Sequence, residues 1–375
     1  MATYLLDPEV CFLNHGSFGA TPEELLVAQD TLRRALEREP IDFLLRLLPD
    51  RLCQARAAVG GFIGADPEGL VFVQNATAGV NAVLGSFEFG PGDEILTTNH
   101  RYDAVRNTLD RWASARGAQV TEAVVPFPLA GPSDVLDAIG AAWTDRVRLL
   151  VVDHISSPTA LIFPIAELVA MAKERGVPVL VDAAHAPGQV TLDVAALGAD
   201  FWVGNLHKWL CAPKGAAVLA IAESWRDRVH PLVTSHGHGS GLQAEFDWCG
   251  TFDPTPWLTA PAAIALHEAQ GGAAFRAAHH ALVREGRQVI ASALDVDLPH
   301  PDDPALYGAM ATIPLPIPAD ATLDLFTALR NEDRIEVPVI QWRESAWVRI
   351  SGFAGYNRPE QYVHLAETLR SRLGR

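Results

Sequence analysis

Two residues, Lys208 and Asp182, carry the strongest chemical signal in this sequence. Lys208 lies in Gly198-Ala-Asp-Phe-Trp-Val-Gly-Asn-Leu-His-Lys-Trp-Leu-Cys-Ala-Pro-Lys-Gly215. A strand is expected to end at Gly204, and a small polar loop then presents His207 and Lys208. The turn Pro213-Lys214-Gly215 sends the chain back into the sheet. An amine at a strand end between aromatic residues is poorly solvated, is neutral more often, and condenses with aldehydes. Asp182 closes the apolar run in Val179-Leu-Val-Asp-Ala-Ala-His-Ala-Pro-Gly188. In open parallel sheets, ligands sit beyond the carboxyl ends of the strands. A carboxylate there needs a cationic partner, because an unpaired buried charge is costly. The protonated pyridine nitrogen of pyridoxal phosphate is such a partner.

A third segment, Val71-Phe-Val-Gln-Asn-Ala-Thr-Ala-Gly79, leads from a strand into a helix. Free N–H groups and the helix dipole at such a turn attract anions, and Thr77 adds a hydroxyl. Each segment also has a plainer reading. A loop lysine is usually a surface residue, Asp182 is a good helix N-cap, and so are Asn75 and Thr77.

The elements that must position these residues alternate along the chain. Thr21 to Val59 reads as helical, opened by Thr21-Pro22-Glu23-Glu24. Strands are expected over Gly69–Val73, Glu94–Thr97, Val147–Asp153, Pro178–Asp182, Phe201–Gly204 and Gly215–Ala220. Helices are expected over Ala78–Phe87, Ala104–Arg116 and Ile165–Arg175. Short apolar strands alternating with helices imply a mostly parallel sheet covered on both faces, an α/β/α architecture. After about Ala260 the texture changes to a long Ala-rich helical stretch, Pro261 to Leu294, and then to proline-rich segments. The expected division is an N-terminal arm over 1–20, a large cofactor-binding domain over 21–255 and a smaller α+β domain over 256–375.

Length and composition agree with two domains, since 375 residues exceed one small core. The formal charge of −16 argues against a nucleic-acid or membrane partner. No apolar run approaches a membrane span, and the N-terminal stretch has no signal-peptide pattern. Cys11, Cys53, Cys211 and Cys249 are widely spaced, as expected in a reducing cytoplasm. His236-Gly-His238 lacks a third ligand nearby in sequence, so no metal is expected.

The sequence resembles the class V aminotransferases, fold-type I pyridoxal-phosphate enzymes, and is most similar to the isopenicillin N epimerase-like group. The resemblance rests on Leu13-Asn-His-Gly-Ser-Phe-Gly19, Asn75-Ala-Thr77, Asp153-His-Ile-Ser-Ser-Pro-Thr159, Val181-Asp-Ala-Ala-His185, Gly204-Asn-Leu-His-Lys-Trp209, Gly250-Thr251 and Val348-Arg-Ile-Ser351, in order along nearly the whole chain. It implies that Lys208 carries the cofactor as a Schiff base and that Asp182 pairs with the pyridine nitrogen. It implies that His185 and Ser157 face the phenolic oxygen, and that Tyr102 stacks on the ring, with His100 the other candidate. Ala76 and Thr77 would hold the phosphate with His207 and Asn205, and Thr251 would reach the phosphate in the partner subunit of a homodimer with shared active sites. Arg349 would clamp the α-carboxylate of an amino-acid substrate; Asn14 and His15 would either approach the same substrate or only pack as part of the N-terminal arm.

The resemblance implies chemistry at the substrate α-carbon, with Lys208 as general base. Epimerisation, β-elimination as a C–S lyase, and transamination all remain open. A Rossmann-type nucleotide binder would want a G-x-G-x-x-G turn, and none occurs. A non-catalytic regulator on the same fold need not keep the lysine, aspartate and arginine together. The stretch before Arg349 has no cysteine, so desulfuration by persulfide transfer is not expected.

Overall fold

The structure, a computed structural model, describes residues 2–374. Met1 and Arg375, the outermost residues of the expected arm and small domain, lie outside it. Its centre is a seven-stranded sheet in the order Leu70–Val73, Ala217–Ile221, Phe201–Asn205, Val179–Asp182, Val147–Asp153, Glu94–Thr98, Gln119–Ala123. The five strands from Phe201–Asn205 to Gln119–Ala123 run parallel to one another; Ala217–Ile221 runs antiparallel to both of its neighbours.

Alternation along each strand decides which face a side chain covers. Leu70 and Phe72 join one hydrophobic core with Leu150, Val152, Val179 and Val181. Val71 and Val73 join the opposite core with Leu149, Val151, Leu180 and Val203. Both faces are therefore buried, which explains why the strands read as unbroken apolar runs. Helices Leu48–Ile63, Ile165–Glu174 and Ala260–Ala269 cover the first face, and Ala76–Ser86 and Asp103–Arg116 the second. The expected α/β/α layering is what forms.

Two element expectations are corrected, and an edge strand is added. The single helix over Thr21–Val59 is instead Glu23–Arg38, a wider π-type stretch over Asp42–Leu47, and Leu48–Ile63. Pro40 and Pro49 lack the N–H that an unbroken helix needs. The stretch Pro261–Leu294 breaks at Gly271 and Gly272, both at positive φ, into Ala260–Ala269 and Ala273–Leu294. Strand Gln119–Ala123 went unread because it lies at the sheet edge, where partial exposure breaks the apolar run.

A further core gathers Leu13, Val283, Ile290, Ile313, Val348 and Leu365 around an antiparallel sheet of Met310–Leu315, Ser345–Ser351 and Val339–Trp342. The N-terminal segment joins it, because Cys11–Phe12 pairs in parallel with Ile335–Glu336. Among the described residues, no helix is long and apolar enough to cross a membrane.

Candidate active site

The carboxyl ends of the parallel strands open into a cavity of about 840 Å3. Asp153, Asp182 and Asn205 each end a strand and line it. Loops from the same edge add Ala76, Thr77, Tyr102, Ser157, His185, His207 and Lys208. Residues far apart in sequence thus meet because parallel strands deliver all their carboxyl ends to one edge.

Lys208 is half-buried in the wall of this cavity. Burial, with the charge of Arg349 adding to it, holds its amine down to about 7. Its Nζ lies 3.2 Å from His185 Nε2. Burial also drives the His185 ring well below the usual histidine range, so it stands neutral beside the amine. Two glycines press on the backbone of the lysine loop. A Cβ on Gly19, at φ +69°, would fall 2.6 Å from the Lys208 carbonyl oxygen. A Cβ on Gly188, at φ +82°, would fall 2.5 Å from the Trp209 carbonyl carbon. Both positions combine left-handed backbone with close approach, which only glycine allows at no cost.

Asp182 accepts a hydrogen bond from the Ala184 N–H at 3.0 Å. Burial raises its pKa, while Lys208 opposes that rise. Asp153 is its register partner on the adjacent strand. Burial, reinforced by the charge of Asp182, pushes Asp153 well above the carboxylate range. The sequence reading missed Asp153 as a site residue, although Val147–Asp153 carries the same signal as Asp182, an apolar strand ended by a carboxylate.

At the helix start, Asn75 Oδ1 caps Ala78 N–H at 2.9 Å. Asn205 Oδ1 accepts from Ala76 N–H at 2.8 Å, so the strand holds the helix N-terminus against the cavity. His207 donates from Nδ1 to the Ala216 carbonyl at 3.0 Å, and burial lowers its pKa to about 4. Tyr102 is partly exposed and lines the cavity. His100 does not; it is fully buried between Thr159 Oγ1 and the Val125 carbonyl.

Other expected residues lie off the cavity wall. Thr251 is exposed while its neighbours Phe252 and Asp253 line the cavity. Arg349 lines an adjoining chamber; its Nη1 donates to the Ser157 carbonyl and Oγ, and its Nη2 to Ser17 Oγ at 3.1 Å. Ser157 is therefore engaged by Arg349. Asn14 and His15 are not among the residues that line the wall. Asn14 Nδ2 donates to Glu336 Oε1 at 3.0 Å, and its Oδ1 accepts from Ser17. His15 is wholly buried behind Lys208. Ser17, Phe18 and Lys214 line the cavity instead. Loop packing placed them there, and no residue-type signal marked them.

The residues suit pyridoxal phosphate on chemical grounds. A buried carboxyl stands ready for a pyridinium, a depressed amine for an aldehyde, and a helix N-terminus for a phosphate. His185 Nδ1 is buried without a partner. Among the described residues, no group of three or more His, Cys, Asp or Glu is placed to hold a metal ion.

Fold and site together define a fold-type I pyridoxal-phosphate enzyme. The sequence profile described as Aminotransferase class-V matches residues 48–339, and the chain belongs to that family. It is 35% identical over 386 residues to isopenicillin N epimerase of Streptomyces clavuligerus, across 99% of this chain and 96% of that protein. It is 35% identical over 354 residues to putative L-cysteine desulfhydrase 1 of Oryza sativa subsp. japonica, across 88% of this chain and 73% of that protein. The apo structure of cysteine desulfurase from Thermococcus onnurineus NA1 superposes with a TM-score of 0.81 at 22% identity, covering 99% of this chain and 96% of that one.

Proposed function

We propose that this enzyme acts at the α-carbon of an amino acid or an amino-acid-derived substrate, with epimerisation as the reading most in keeping with its motifs. The observation that carries the proposal is Lys208, half-buried beside neutral His185, with its amine held down to about 7. Such an amine serves both as attachment point for the cofactor and as a proton carrier at the α-carbon. Bound there, pyridoxal phosphate supplies an electron-withdrawing ring that stabilises negative charge at that carbon. Asp182 would pair with the ring nitrogen. Ala76, Thr77, Asn205 and His207 would hold the phosphate, Tyr102 would stack on the ring, and His185 and Ser157 would contact the phenolic oxygen. Arg349 receives the α-carboxylate after giving up a contact with Ser157 or Ser17.

C–S bond cleavage is the second reading, favoured by the 35% identity to a protein named as an L-cysteine desulfhydrase. No cysteine carrier takes part in it. Burial raises the Cys211 thiol to about 12, and neither Cys211 nor Cys249 lines the cavity. The test is incubation of the loaded enzyme in D2O with a panel of L-amino acids that includes L-cysteine. Solvent deuterium at the α-carbon with inversion supports epimerisation, and sulfide with pyruvate supports elimination. A keto acid that keeps the substrate's whole side chain would move the reading to transamination, and no α-proton exchange with any substrate would remove it.

We further infer a homodimer in which Thr251 reaches the neighbouring cofactor phosphate. Its exposure next to cavity-lining Phe252 supports this. A cytoplasmic location belongs to the same reading, supported by four free cysteines.

A further inference from the structure

One helical turn of the N-terminal segment, His15–Phe18, borders the cofactor cavity, and every residue in it except Phe18 is tied down. His15 is buried against the Lys208 carbonyl. The Gly16 N–H donates to Ser351 Oγ at 3.0 Å, and a Cβ on Gly16 would fall 2.4 Å from Met310 Sδ. Ser17 donates to Asn14 Oδ1 at 2.5 Å and accepts from Arg349 Nη2 at 3.1 Å. The Gly19 N–H closes the turn onto the His15 carbonyl at 2.7 Å. Phe18 turns outward. It lines the cavity and is 72% exposed, and among the described residues it joins none of the hydrophobic cores. A phenylalanine gains from burial, yet the tethered backbone holds this ring away from the interior. Two charged residues that line the same cavity are, by contrast, matched within the chain. Lys214 Nζ donates to Thr21 Oγ1 at 3.1 Å, and Asp253 accepts from Arg33 at 2.9 Å and from the Thr255 N–H at 2.8 Å. The surface left unmatched is the aromatic ring.

We propose that Phe18 is a specificity-determining residue: its ring packs against the substrate's side chain beyond the α-carbon, and the side chain is apolar where it meets the ring. The inference rests on the reading that Arg349 receives the α-carboxylate and Lys208 serves the α-carbon. Ser17 links the two sites, since it touches Arg349 and is joined to Phe18 by one peptide bond. A substrate fixed by its carboxylate at Arg349 and by its amine near Lys208 has one substituent left to place, and the Phe18 ring offers it an apolar surface on the same cavity. Ligand pockets combine an apolar lining with a few placed polar groups. Here Arg349 and Lys208 fix the reacting end, and Phe18 reads the rest.

The test is titration of the loaded enzyme, read through the cofactor's absorption, with L-2-aminobutyrate, L-norvaline and L-norleucine. In the wild type each added methylene tightens binding about fourfold, the worth of a methylene taken out of water. Phe18 is exposed, so replacing it leaves the cores alone. Phe18→Ala lowers the step to less than about twofold, and Phe18→Leu, which keeps an apolar surface, restores most of it. No binding of any member, no gain along the series in the wild type, or an unchanged step in Phe18→Ala would overturn the proposal. Sedimentation of Phe18→Ala at the same concentration closes the other route. A change of oligomeric state from the wild type would put the ring in a subunit contact and also overturn it. α-Proton exchange of the ligands that bind is followed separately. Absence of exchange, with the step present in the wild type and lost in Phe18→Ala, would count against the reaction and leave the role of Phe18 standing.

Discussion

The His15 imidazole holds the backbone of Lys208: its Nε2 lies 3.1 Å from the Lys208 carbonyl oxygen, across 193 residues of chain. A carbonyl only accepts, so Nε2 carries the proton. Burial drives the ring's pKa well down and keeps it neutral. Nδ1 is then a bare acceptor, and the Tyr356 hydroxyl donates to it at 2.6 Å. The ring stacks on Phe353 with centroids 4.0 Å apart. One histidine thus joins the N-terminal segment, the turn after Ser345–Ser351 and the lysine loop.

This pair positions Lys208 and does not touch the cavity. Tyr356→Phe removes the donor to Nδ1 and leaves a buried acceptor unmet, which costs about 1–3 kcal/mol. We expect thermal unfolding to register that loss, and turnover to fall through kcat with KM little changed. A change confined to KM would instead put His15 and Tyr356 at the substrate.

The low pKa of Lys208 predicts how the apoenzyme loads. The neutral amine is the nucleophile, and burial sets its pKa at about 7 rather than the ordinary 10.5. The rate of reconstitution with pyridoxal phosphate should rise through pH 7 and level off above it. A rate still climbing at pH 9 would show an ordinary lysine. Lys208→Ala should retain no covalent label after borohydride reduction, by intact mass, and should lose about 100-fold or more in turnover.

Asp182 and Asp153 should separate cleanly. Asp182→Asn removes the charge proposed to pair with the ring nitrogen, so turnover should drop about 100-fold or more while most cofactor stays bound. Asp153 is pushed toward its neutral form by burial and by Asp182. An amide closely mimics a protonated carboxyl, so Asp153→Asn should retain turnover within a few fold. Equal losses in the two variants would mean that Asp153 works as a carboxylate.

The buried histidines predict acid sensitivity. His15, His100, His154, His185 and His279 all have pKa values lowered by burial. Each is neutral when folded and free to protonate near 6.5 when unfolded, so the unfolded chain binds more protons as pH falls. Stability should be fully present above pH 6.5 and decline from there toward pH 4. Asp153 and Asp182, with raised values, act in the opposite sense but are fewer. The midpoint of thermal unfolding of the apoenzyme, followed from pH 8 to 5, should therefore fall. A flat profile would show that these rings have partners that accommodate the charge.

The layered fold and its reactive edge are legible in the amino-acid sequence because local chemistry determines both. Short apolar strands such as Val147–Asp153 and Val179–Asp182 state that both sheet faces are covered, because period and polarity are properties of neighbouring residues. Lys208 and Asp182 stand out for the same reason, each a polar group set at the end of an apolar run. What tertiary structure alone decided is where loops and distant segments settle. Asn14 and His15 share a motif with Ser17, yet His15 turns inward to the Lys208 carbonyl while Ser17 meets the cavity and Arg349. The pairing of Asp153 with Asp182 depends on which strands become neighbours. The chamber around Arg101, Arg106 and Arg349 exists only because the 339–351 hairpin packs over the 99–106 turn. Such contacts join residues far apart in sequence, and they follow from the packing of whole elements, which local pattern does not encode.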